Sequence, residues 1–510
     1  MKLTTDISIV GCGPVGATLA NLLADYGYSV AILEKETEIY RAPRAVHLDD
    51  EVVRIFQAVG ILDDLQKNIT PFNKMQFVSG KGNVLLEVGA PDNYAPYGYA
   101  PSYWFFQPTL EKILRVAFQS KKQVHWLEGY EVVEVHDHST YSSLKAIHTS
   151  TQKEITITSQ YIIGCDGGKS MVRKSMNVDF DNLNFDQQWM VIDTFLKSEE
   201  DAALLPQLLQ QICNPDRPTT YVPGVGKHRR FEFMLVNGDT KESISQPATI
   251  RRLIAQFITP DKLSITRSAV YTFHGLTVTQ WRKGRLLLAG DSAHQMPPFA
   301  GQGMCSGIRD AHNLAFKLDL VLSGKSTERM LNTYQTERKP HVTELSKGSI
   351  KMGKTIQTQN YFLAGLRNFS FFLARRIPLL QEKIKQDFMK KMPYQKGFLG
   401  IHSNLSGQLC IQPVIQVNNQ EMLLDDLLGN RFALISRASI SQIQTKEFTQ
   451  IVNGQVLQLG MDFHSVVFEE WLLQYKIDFA IIRPDRYIFD AGKMAVLDTV
   501  LNDLNNNVLN

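Results

Sequence analysis

The stretch DISIVGCGPVGATLANLLADYGYSVAILE, residues 6–34, decides the fold of this chain. Asp6–Val10 has the β-branched composition of a short buried strand, Ala17–Tyr26 carries helix formers, and Ser29–Leu33 is a second buried strand. Between the first strand and the helix lie three closely spaced glycines, Gly11, Gly13 and Gly16. The segment therefore predicts a strand, a glycine-rich turn, a helix and a second strand.

Each glycine of this turn has its own expected role. Gly11 permits a tight turn, Gly13 lets the backbone approach a pyrophosphate, and Gly16 lets the helix pack closely on the strand. The helix N-terminus presents free N–H groups to phosphates, and Glu34 ends the second strand where a carboxylate can accept hydrogen bonds from a ribose. The unit predicts an ADP-containing dinucleotide, NAD or FAD; a glycine-rich turn without a ligand is the alternative. The candidate binding residues of this unit are Gly11, Gly13, Pro14, Val15, Gly16, Glu34 and Lys35.

Two further stretches place an aspartate directly after a buried strand. The strand-like run 161–164 leads into Asp166, and the run 285–289 leads into Gly290 and Asp291. An aspartate at the carboxyl end of a strand lies in the crevice where doubly wound sheets bind ligands. Capping of the next helix is the alternative role for Asp291, and a simple turn residue is the alternative for Asp166.

The three motifs, taken in this order, resemble the class A flavoprotein monooxygenases, which share the para-hydroxybenzoate hydroxylase fold. The likeness spans about residues 5–350, and Pro43-Arg44-Ala45 and residues 301–310 resemble the 3-(3-hydroxyphenyl)propionate and 3-hydroxycinnamate hydroxylases in particular. The resemblance implies that the resident dinucleotide is FAD, with NADH or NADPH and O₂ as co-substrates. It implies hydroxylation of a phenolic aromatic ring through a flavin C4a-hydroperoxide, in aromatic catabolism.

Two alternatives stay open within this resemblance. One is a hydroxylase of a heteroaromatic, quinolone-like or antibiotic substrate. The other is a flavin-binding reductase or scaffold that does not hydroxylate. Neither the aromatic substrate nor the choice between NADH and NADPH follows from the residues.

The resemblance also implies roles for individual residues. Glu34 would hold the adenosine ribose, Arg44 would lie near the pyrophosphate and the flavin, and Asp291 would bind the ribityl chain. The helix that begins near Gly303 would stabilise negative charge on the reduced flavin through its N-terminus. The other candidate cofactor-binding residues are Gln107, Arg115, Asp166, Gly290, Pro298, Gly301 and Met304.

Three residues are candidates for catalysis or substrate contact. His47 has a side chain suited to proton relay near neutral pH, although a packed or exposed histidine is the common alternative. Tyr221 is a candidate pocket residue, with a core or surface tyrosine as the alternative, and Pro298 lies where the family contacts substrate. No metal ligand set is expected.

The fold class expected is α/β, with a Rossmann-like FAD-binding domain, a mixed-sheet substrate domain and a thioredoxin-like C-terminal domain. The FAD-binding domain is expected to be discontinuous. Its predicted segments are 1–75, 107–180 and 280–350. The other predicted units are a substrate domain at 76–106 and 181–279, a helical connection at 351–407, and a thioredoxin-like domain without CxxC at 408–510.

Composition limits the partners and the compartment. Lys plus Arg number 54 and Asp plus Glu number 51, and the basic residues are dispersed, so no nucleic-acid partner is expected. Five cysteines without a CxxC pair disfavour a disulfide framework and fit a reducing compartment, and no stretch predicts a membrane span; we expect a cytoplasmic protein. A helical stretch with a kink at Pro378, 361–392, is expected to dock between domains or at a homodimer interface, with membrane-surface association as the alternative.

Overall fold

The computed structural model describes residues 2–509, with strands numbered β1 to β25 and helices α1 to α15 along the chain. The first sheet has the order β17-β18-β11-β1-β2-β8; β10 extends it through antiparallel pairing with β11, and β9 pairs antiparallel with β10. Its strands are β1 (Lys2–Val10), β2 (Val30–Glu34), β8 (Val124–Glu128), β9 (Tyr130–Asp137), β10 (Ser142–His148), β11 (Glu154–Gly164), β17 (Arg282–Lys283) and β18 (Leu286–Leu288). Its centre, where β1 pairs in parallel with β2 and β11, is buried, as expected for a parallel sheet covered on both faces.

The second sheet is mixed and has the order β19-β16-β12-β15-β14-β13-β5-β6. Its strands are β5 (Lys74–Val78), β6 (Val84–Gly89), β12 (Phe180–Leu196), β13 (Leu209–Ile212), β14 (Thr219–Val222), β15 (His228–Met234), β16 (Leu263–Val278) and β19 (His294–Gln295). The long strands β12 and β16 pair over most of their length. A small sheet of order β3-β7-β4 is built from β3 (His47–Asp49), β4 (Ile69–Phe72) and β7 (Ser102–Phe105).

The C-terminal part contains a four-stranded sheet of order β23-β22-β24-β25, in which one pair is parallel and two pairs are antiparallel. Its strands are β22 (Ala433–Ser436), β23 (Gln455–Gln458), β24 (Phe479–Ile482) and β25 (Ile488–Gly492); a hairpin of β20 (Val414–Val417) and β21 (Gln420–Leu423) precedes it.

The helices are α1 (Pro14–Asp25), α2 (Asp50–Val59), α3 (Leu62–Gln66), α4 (Gln107–Gln119), α5 (Met171–Met176), α6 (Lys241–Ile244), α7 (Pro247–Ile254), α8 (Gly303–Leu322), α9 (Met330–Ile356), α10 (Tyr361–Arg376), α11 (Pro378–Met389), α12 (Leu424–Leu428), α13 (Gln442–Val452), α14 (Val466–Gln474) and α15 (Leu497–Leu509). Helices α1, α4 and α5 contact strands of the first sheet, and α13 contacts β23 of the C-terminal sheet. Helix α1 packs against α4 and α8, which fixes the start of α1 beside the start of α8. The expected α/β fold class is confirmed, whereas the predicted domain boundaries stay predictions.

The helical stretch 361–392 is divided into α10 and α11 at Pro378, because proline cannot donate the backbone hydrogen bond that would continue α10. Both helices contact β6 and leave an apolar face exposed. The exposed large apolar residues of this face are Tyr361, Phe362, Leu363, Leu366, Phe369, Phe372, Leu373, Ile377, Leu379, Leu380 and Phe388. Within residues 2–509, no helix has the length and apolar character needed to cross a membrane.

Buried ion pairs join the C-terminal part to the first sheet's helices. Glu337 of α9 lies 2.7 Å from Lys317 Nζ of α8 and 2.8 Å from Arg483 Nη2, and all three side chains are fully buried. A second buried pair joins Arg54 of α2 to Asp425 of α12 at 2.6 Å. The C-terminal sheet is therefore fixed against the dinucleotide-binding part by charge as well as by apolar packing.

Candidate active site

A cleft of about 2880 Å³ lies between the carboxyl ends of the first sheet and one face of the second sheet. It is far larger than the roughly 300–1,000 Å³ of an ordinary small-molecule site, so it has room for a dinucleotide and a second ligand. Most of the predicted site residues line it. These are Gly11, Gly13, Pro14, Val15, Glu34, Lys35, Arg44, His47, Gln107, Arg115, Asp166, Asp291, Pro298, Gly301, Gly303 and Met304.

The glycine-rich turn has the geometry of a phosphate cradle. Gly11 has φ +98°, a left-handed conformation, and a Cβ there would lie 2.5 Å from the carbonyl oxygen of Cys165. Gly16 does not line the cleft; a Cβ on it would collide with the carbonyl oxygen of Gly11, so it sets the close approach of α1 to β1. A Cβ on Gly13 would meet no atom within 4 Å, which leaves space above the start of α1.

Helix α1 offers unpaired backbone donors to that space. Gly13 is its N-cap, no side chain caps it, and its first turn holds no acidic residue. The positive end of the helix dipole therefore meets the cleft without a counter-charge from its own first turn. The carboxylate of Glu34 lies at the end of β2 and accepts hydrogen bonds from the backbone N–H groups of Cys12 (2.9 Å) and Glu36 (3.1 Å). Lys35 is a surface residue whose Nζ lies 3.9 Å from Glu36.

Gln107 positions the loop that carries Arg44. Its Oε1 accepts hydrogen bonds from the backbone N–H groups of Arg44 and Ala45, each at 2.8 Å, and its Nε2 donates to Glu111 at 2.8 Å. The Arg44 guanidinium lies 5.4 Å from the ring centre of Tyr40 and, among the described residues, pairs with no carboxylate. An unpaired guanidinium at the cleft is suited to an anionic ligand.

Arg115 is more enclosed than Arg44. Its guanidinium lies over the Trp126 ring at 5.3 Å and 3.9 Å from both Glu111 and Glu128. Its Nε is buried and has no hydrogen-bond partner in the part of the chain that the structure describes. Arg115 therefore supplies a positive charge at the end of the cleft that contains Glu34, and its Nε–H remains free to donate a hydrogen bond.

The two predicted aspartates differ in their environments. Asp166 accepts a hydrogen bond at 2.7 Å from the backbone N–H of Met171, the first residue of α5, whose N-cap is Ser170. Its other carboxyl oxygen is buried and has no hydrogen-bond partner among residues 2–509. Asp291 makes no hydrogen bond with any described residue and its side chain is open to the cleft. Burial of its surroundings raises the pKa of Asp291, and His294 and Arg44 oppose that rise.

Asp310 of α8 holds the turn that presents Asp291. Its carboxylate accepts a hydrogen bond from the backbone N–H of Gly290 at 3.0 Å and from Arg338 Nε at 2.8 Å, and lies 2.6 Å from His294 Nε2. Gly290 itself does not line the cleft; it has φ +64° and packs against Val15. In the Gly290-Asp291 motif, Gly290 therefore forms the turn and Asp291 faces the ligand space.

The start of α8 forms the far side of the ligand space. Gln302 is its N-cap, no side chain caps the helix, and its first turn has no acidic residue. His47 packs beside this start, with Nε2 3.0 Å from Ser102 Oγ and Nδ1 3.3 Å from the carbonyl oxygen of Gly301. Burial lowers the pKa of His47, and its partner Gly301 opposes that, so the imidazole is neutral at neutral pH.

Sequence reasoning missed a charged network on the second sheet. Asp193 of β12 is fully buried and lies 2.9 Å from His228 Nε2, 2.8 Å from Arg230 Nε and 2.7 Å from Arg267 Nη2. Burial alone would raise the pKa of Asp193, but these neighbours lower it to about 2. Arg230 also donates to the carbonyl oxygen of Arg44 at 2.9 Å, which links the second sheet to the loop between β2 and β3. The signal available in the sequence was the alternation of polar and aromatic residues in β15.

Tyr221 is the one predicted catalytic candidate that the structure places away from the cleft. Thr220 and Val222 line the cleft, and Tyr221 between them points to the opposite face of β14, since successive side chains alternate. Its ring lies 5.4 Å from that of Phe231 and 6.0 Å from that of Phe257. Tyr221 is therefore a core residue, which was the alternative, and Pro298 is a cleft residue at the start of a short helical turn.

Comparison with known proteins finds similarity over the whole chain. The model of a family described as "FAD binding domain" matches residues 4–349. The chain is 32% identical to a probable NADH-specific resorcinol 4-hydroxylase of Rhodococcus jostii, over 97% of this chain and 94% of that protein. It is 31% identical to the 3-(3-hydroxy-phenyl)propionate/3-hydroxycinnamic acid hydroxylase of Escherichia coli, over 98% and 94%.

Solved structures share the fold at lower sequence identity. The flavin-dependent monooxygenase PieE, in complex with FAD and substrate, superposes with a TM-score of 0.84 at 17% identity, covering 99% of each chain. Aklavinone-11 hydroxylase, in a ternary complex with FAD and aklavinone, superposes with a TM-score of 0.80 at 16% identity, also covering 99% of each chain.

Proposed function

This chain belongs to the FAD-binding-domain family as a flavoprotein aromatic monooxygenase, and from that premise we propose that it hydroxylates a phenolic carboxylic acid of the 3-(3-hydroxyphenyl)propionate type. FAD is its cofactor and NAD(P)H its co-substrate. The observation that carries the choice of substrate is the likeness to the E. coli hydroxylase, which extends over both sheets and the C-terminal part.

The ligand space fits FAD on grounds of its own chemistry. A dinucleotide needs donors and positive charge at its pyrophosphate and acceptors at its sugar hydroxyls. The uncapped start of α1 and the unpaired guanidinium of Arg44 supply the first, and the carboxylates of Glu34 and Asp291 supply the second. We assign Glu34 to the adenosine ribose and Asp291 to the ribityl chain on this basis.

When bound, FAD would supply acceptance of a hydride from NAD(P)H and activation of O₂, one atom of which would be added to the aromatic ring. The uncapped start of α8, at Gly303 and Met304, would stabilise negative charge on the reduced ring system through its backbone N–H groups. Pro298 and Gly301 would form the wall between this helix start and the substrate. We propose that neutral His47, which contacts Ser102 and Gly301, passes a proton along that wall.

A turnover screen tests the proposed substrate. The FAD-loaded enzyme is assayed for NADH and NADPH oxidation with 3-(3-hydroxyphenyl)propionate, 3-hydroxycinnamate and a hydroxyquinoline, and products are identified by mass. We expect hydroxylated product from the first two compounds. Oxidation that yields only hydrogen peroxide with every compound would favour a reductase, and product from the hydroxyquinoline alone would favour a heteroaromatic substrate.

Resorcinol is the second candidate substrate. The relative from Rhodococcus jostii is named for resorcinol and for NADH, and its identity to this chain matches that of the E. coli relative. A kcat/KM for resorcinol at least tenfold above that for 3-(3-hydroxyphenyl)propionate would identify resorcinol as the preferred substrate.

Two finer assignments accompany this proposal. We propose a cytoplasmic enzyme that forms a homodimer through the exposed apolar face of α10 and α11. Sedimentation of the FAD-loaded protein tests the homodimer, with Phe362→Glu on that face expected to yield monomers. A wild-type protein that sediments as a monomer at micromolar concentration would contradict it.

A further inference from the structure

Glu232 of β15 is a buried carboxyl group that faces the cleft and has no role in the mechanism above. The residue is 8% exposed and lines the cleft, yet its carboxylate makes no hydrogen bond with any residue between 2 and 509. Its nearest opposite charge is Arg230 Nη1, 3.8 Å from Oε1, which is beyond hydrogen-bonding distance. Neither carboxylate oxygen is fully enclosed by protein, so both are accessible from the open space of the cleft, which can hold a hydrogen-bond donor.

The sheet register places Glu232 beside the proposed cofactor. Along β15, Arg230, Glu232 and Met234 share one face because side chains alternate. Arg230 reaches the carbonyl oxygen of Arg44, whereas Met234 packs in the cluster that contains Phe299. Glu232 therefore lies between the two wall segments of the ligand space, roughly 7 Å along the strand from each of these neighbours.

The surroundings of Glu232 suit an aromatic ring with one polar substituent. Val191 lies opposite it on β12, and Val222 and Met75 belong to the same cleft-facing surface. Phe273 and Met352 complete the apolar part of the cleft. Small-molecule sites of this kind are mostly apolar and orient their ligand by a few polar groups.

Resting on the function proposed above, we propose that Glu232 accepts the hydroxyl proton of the phenolic substrate. The phenolic O–H bond breaks heterolytically, the proton passes to a carboxylate oxygen of Glu232, and the electron pair stays on the phenol oxygen, where it enriches the ring. Nothing is oxidised or reduced in this step. The proton leaves Glu232 for solvent through the open cleft when product departs.

The charges around Glu232 match this role. Burial raises the pKa of Glu232; Arg230 on its own strand and Arg267 on β16 oppose the rise, and Asp193 on β12 adds to it. His228 is held neutral, because burial lowers its pKa despite its contact with Asp193. A carboxyl group with a raised pKa is a stronger base than an ordinary one and is better matched to a phenol.

The first test reads the ionisation of a bound phenol without turnover. The FAD-loaded wild type and Glu232→Gln are titrated with 4-nitrophenol, and difference spectra give the apparent pKa of the bound phenol. Once Glu232 is ionised, its carboxylate repels a phenolate, so complete ionisation of the bound phenol should need a pH about 1–3 units higher in the wild type than in the variant. This shift reports contact between the carboxylate and the phenol, and the turnover test below decides whether the proton is transferred. Equal apparent pKa values, or no bound signal in the wild type, would overturn the proposal.

The second test uses turnover on the substrate found by the screen. Glu232→Gln should retain FAD and NADH oxidation, lose the acid limb of the pH profile, and hydroxylate about 10²–10⁴-fold more slowly. Glu87→Gln is the matched control, since it makes the same change on β6 of the same sheet at an exposed residue. Hydroxylation by Glu232→Gln within threefold of wild type would refute the role. A wild type that binds 4-nitrophenol but hydroxylates no compound would refute the proposed function alone. The difference in the apparent pKa of the bound phenol between the wild type and Glu232→Gln would still show whether Glu232 contacts the phenol.

Discussion

Alanine at Gly13 and alanine at Gly16 should have opposite consequences, although the two glycines are three residues apart in one turn. Gly13→Ala should abolish tight FAD binding and leave the protein folded. Gly13 has φ −73° and ψ −176°, a conformation open to any residue, and a Cβ there meets no protein atom within 4 Å. Gly16→Ala should disturb the fold, because its Cβ would lie far inside the 3.0 Å that real Cβ contacts respect, against the backbone of Gly11.

The expected magnitudes follow from these distances. The added methyl of Gly13→Ala occupies the space where the pyrophosphate approaches α1, and loss of two charge-assisted hydrogen bonds at about 1.5–3 kcal/mol each weakens FAD binding by roughly 10²–10⁴-fold. Its cost to the free protein is the poorer N-cap, of order 1 kcal/mol. Gly16→Ala forces α1 away from β1, an overpacking that costs about 1–3 kcal/mol or more.

The assay separates cofactor affinity from stability. Apoprotein of each variant is titrated with FAD while flavin fluorescence is followed, and urea unfolding of the same apoprotein is followed by circular dichroism. The wild type and Gly365→Ala serve as controls, since a Cβ at Gly365 of α10 also meets no atom within 4 Å and Gly365 does not line the cleft. A wild-type Kd for FAD in Gly13→Ala, or a wild-type urea midpoint in Gly16→Ala, would refute the reading of this turn.

Three further outcomes are expected. Asp291→Ala should weaken FAD binding about 10–100-fold, as measured by flavin fluorescence. The urea midpoint should change little, because the Asp291 carboxylate makes no hydrogen bond with any described residue. An unchanged Kd for FAD would show that Asp291 does not bind the cofactor. Glu337→Gln should lower the free energy of unfolding by about 3–5 kcal/mol in urea, because it removes the counter-charge of buried Lys317 and one of the two carboxylates that hold buried Arg483, the other being Asp485. The exposed Glu344→Gln should cost under about 0.5 kcal/mol. Burial would raise the pKa of Glu337, but Arg483 and Lys317 lower it to about 2. The ionised carboxylate therefore contributes about 3 kcal/mol to the free energy of unfolding above about pH 5, and this contribution is lost as pH falls toward 2. A urea midpoint of the wild type that stays flat from pH 6 to pH 3 would contradict this.

The sequence predicted the first sheet's ligand-facing edge well because its signals are local. The predicted strand 6–10, helix 17–26 and strand 29–33 correspond to β1, α1 and β2, since the turn that joins them is specified by consecutive glycines. Gly290 and Asp291 were predicted for the same reason. Their supporting contacts, by contrast, involve Asp310 and Arg338, which lie in two different helices and come together only in the folded chain.

The second sheet was harder to read because its faces depend on long-range pairing. Thr220, Tyr221 and Val222 all suit a strand, and a shift of one residue decides which of them faces the cleft. The pairing of β12 with β15 sets Asp193 opposite Arg230 and Val191 opposite Glu232, and these partners are about forty residues apart in the sequence. No motif in the sequence marks that pairing, so these residues were found only in the structure.

The buried meeting of Glu337, Lys317 and Arg483 has a bearing on protein engineering. A chimaera that joins the C-terminal part of one relative to the flavin-binding part of another would bury the equivalent of Arg483 against the residues that the recipient has at the positions of Lys317 in α8 and Glu337 in α9. The C-terminal part would also carry the equivalent of Asp485, which here lies 2.6 Å from that arginine, so a recipient that lacks the acid–amine pair would keep one of the two buried carboxylates that hold the arginine and lose the other. Crossover points for recombination libraries are therefore best drawn so that these three positions are inherited together.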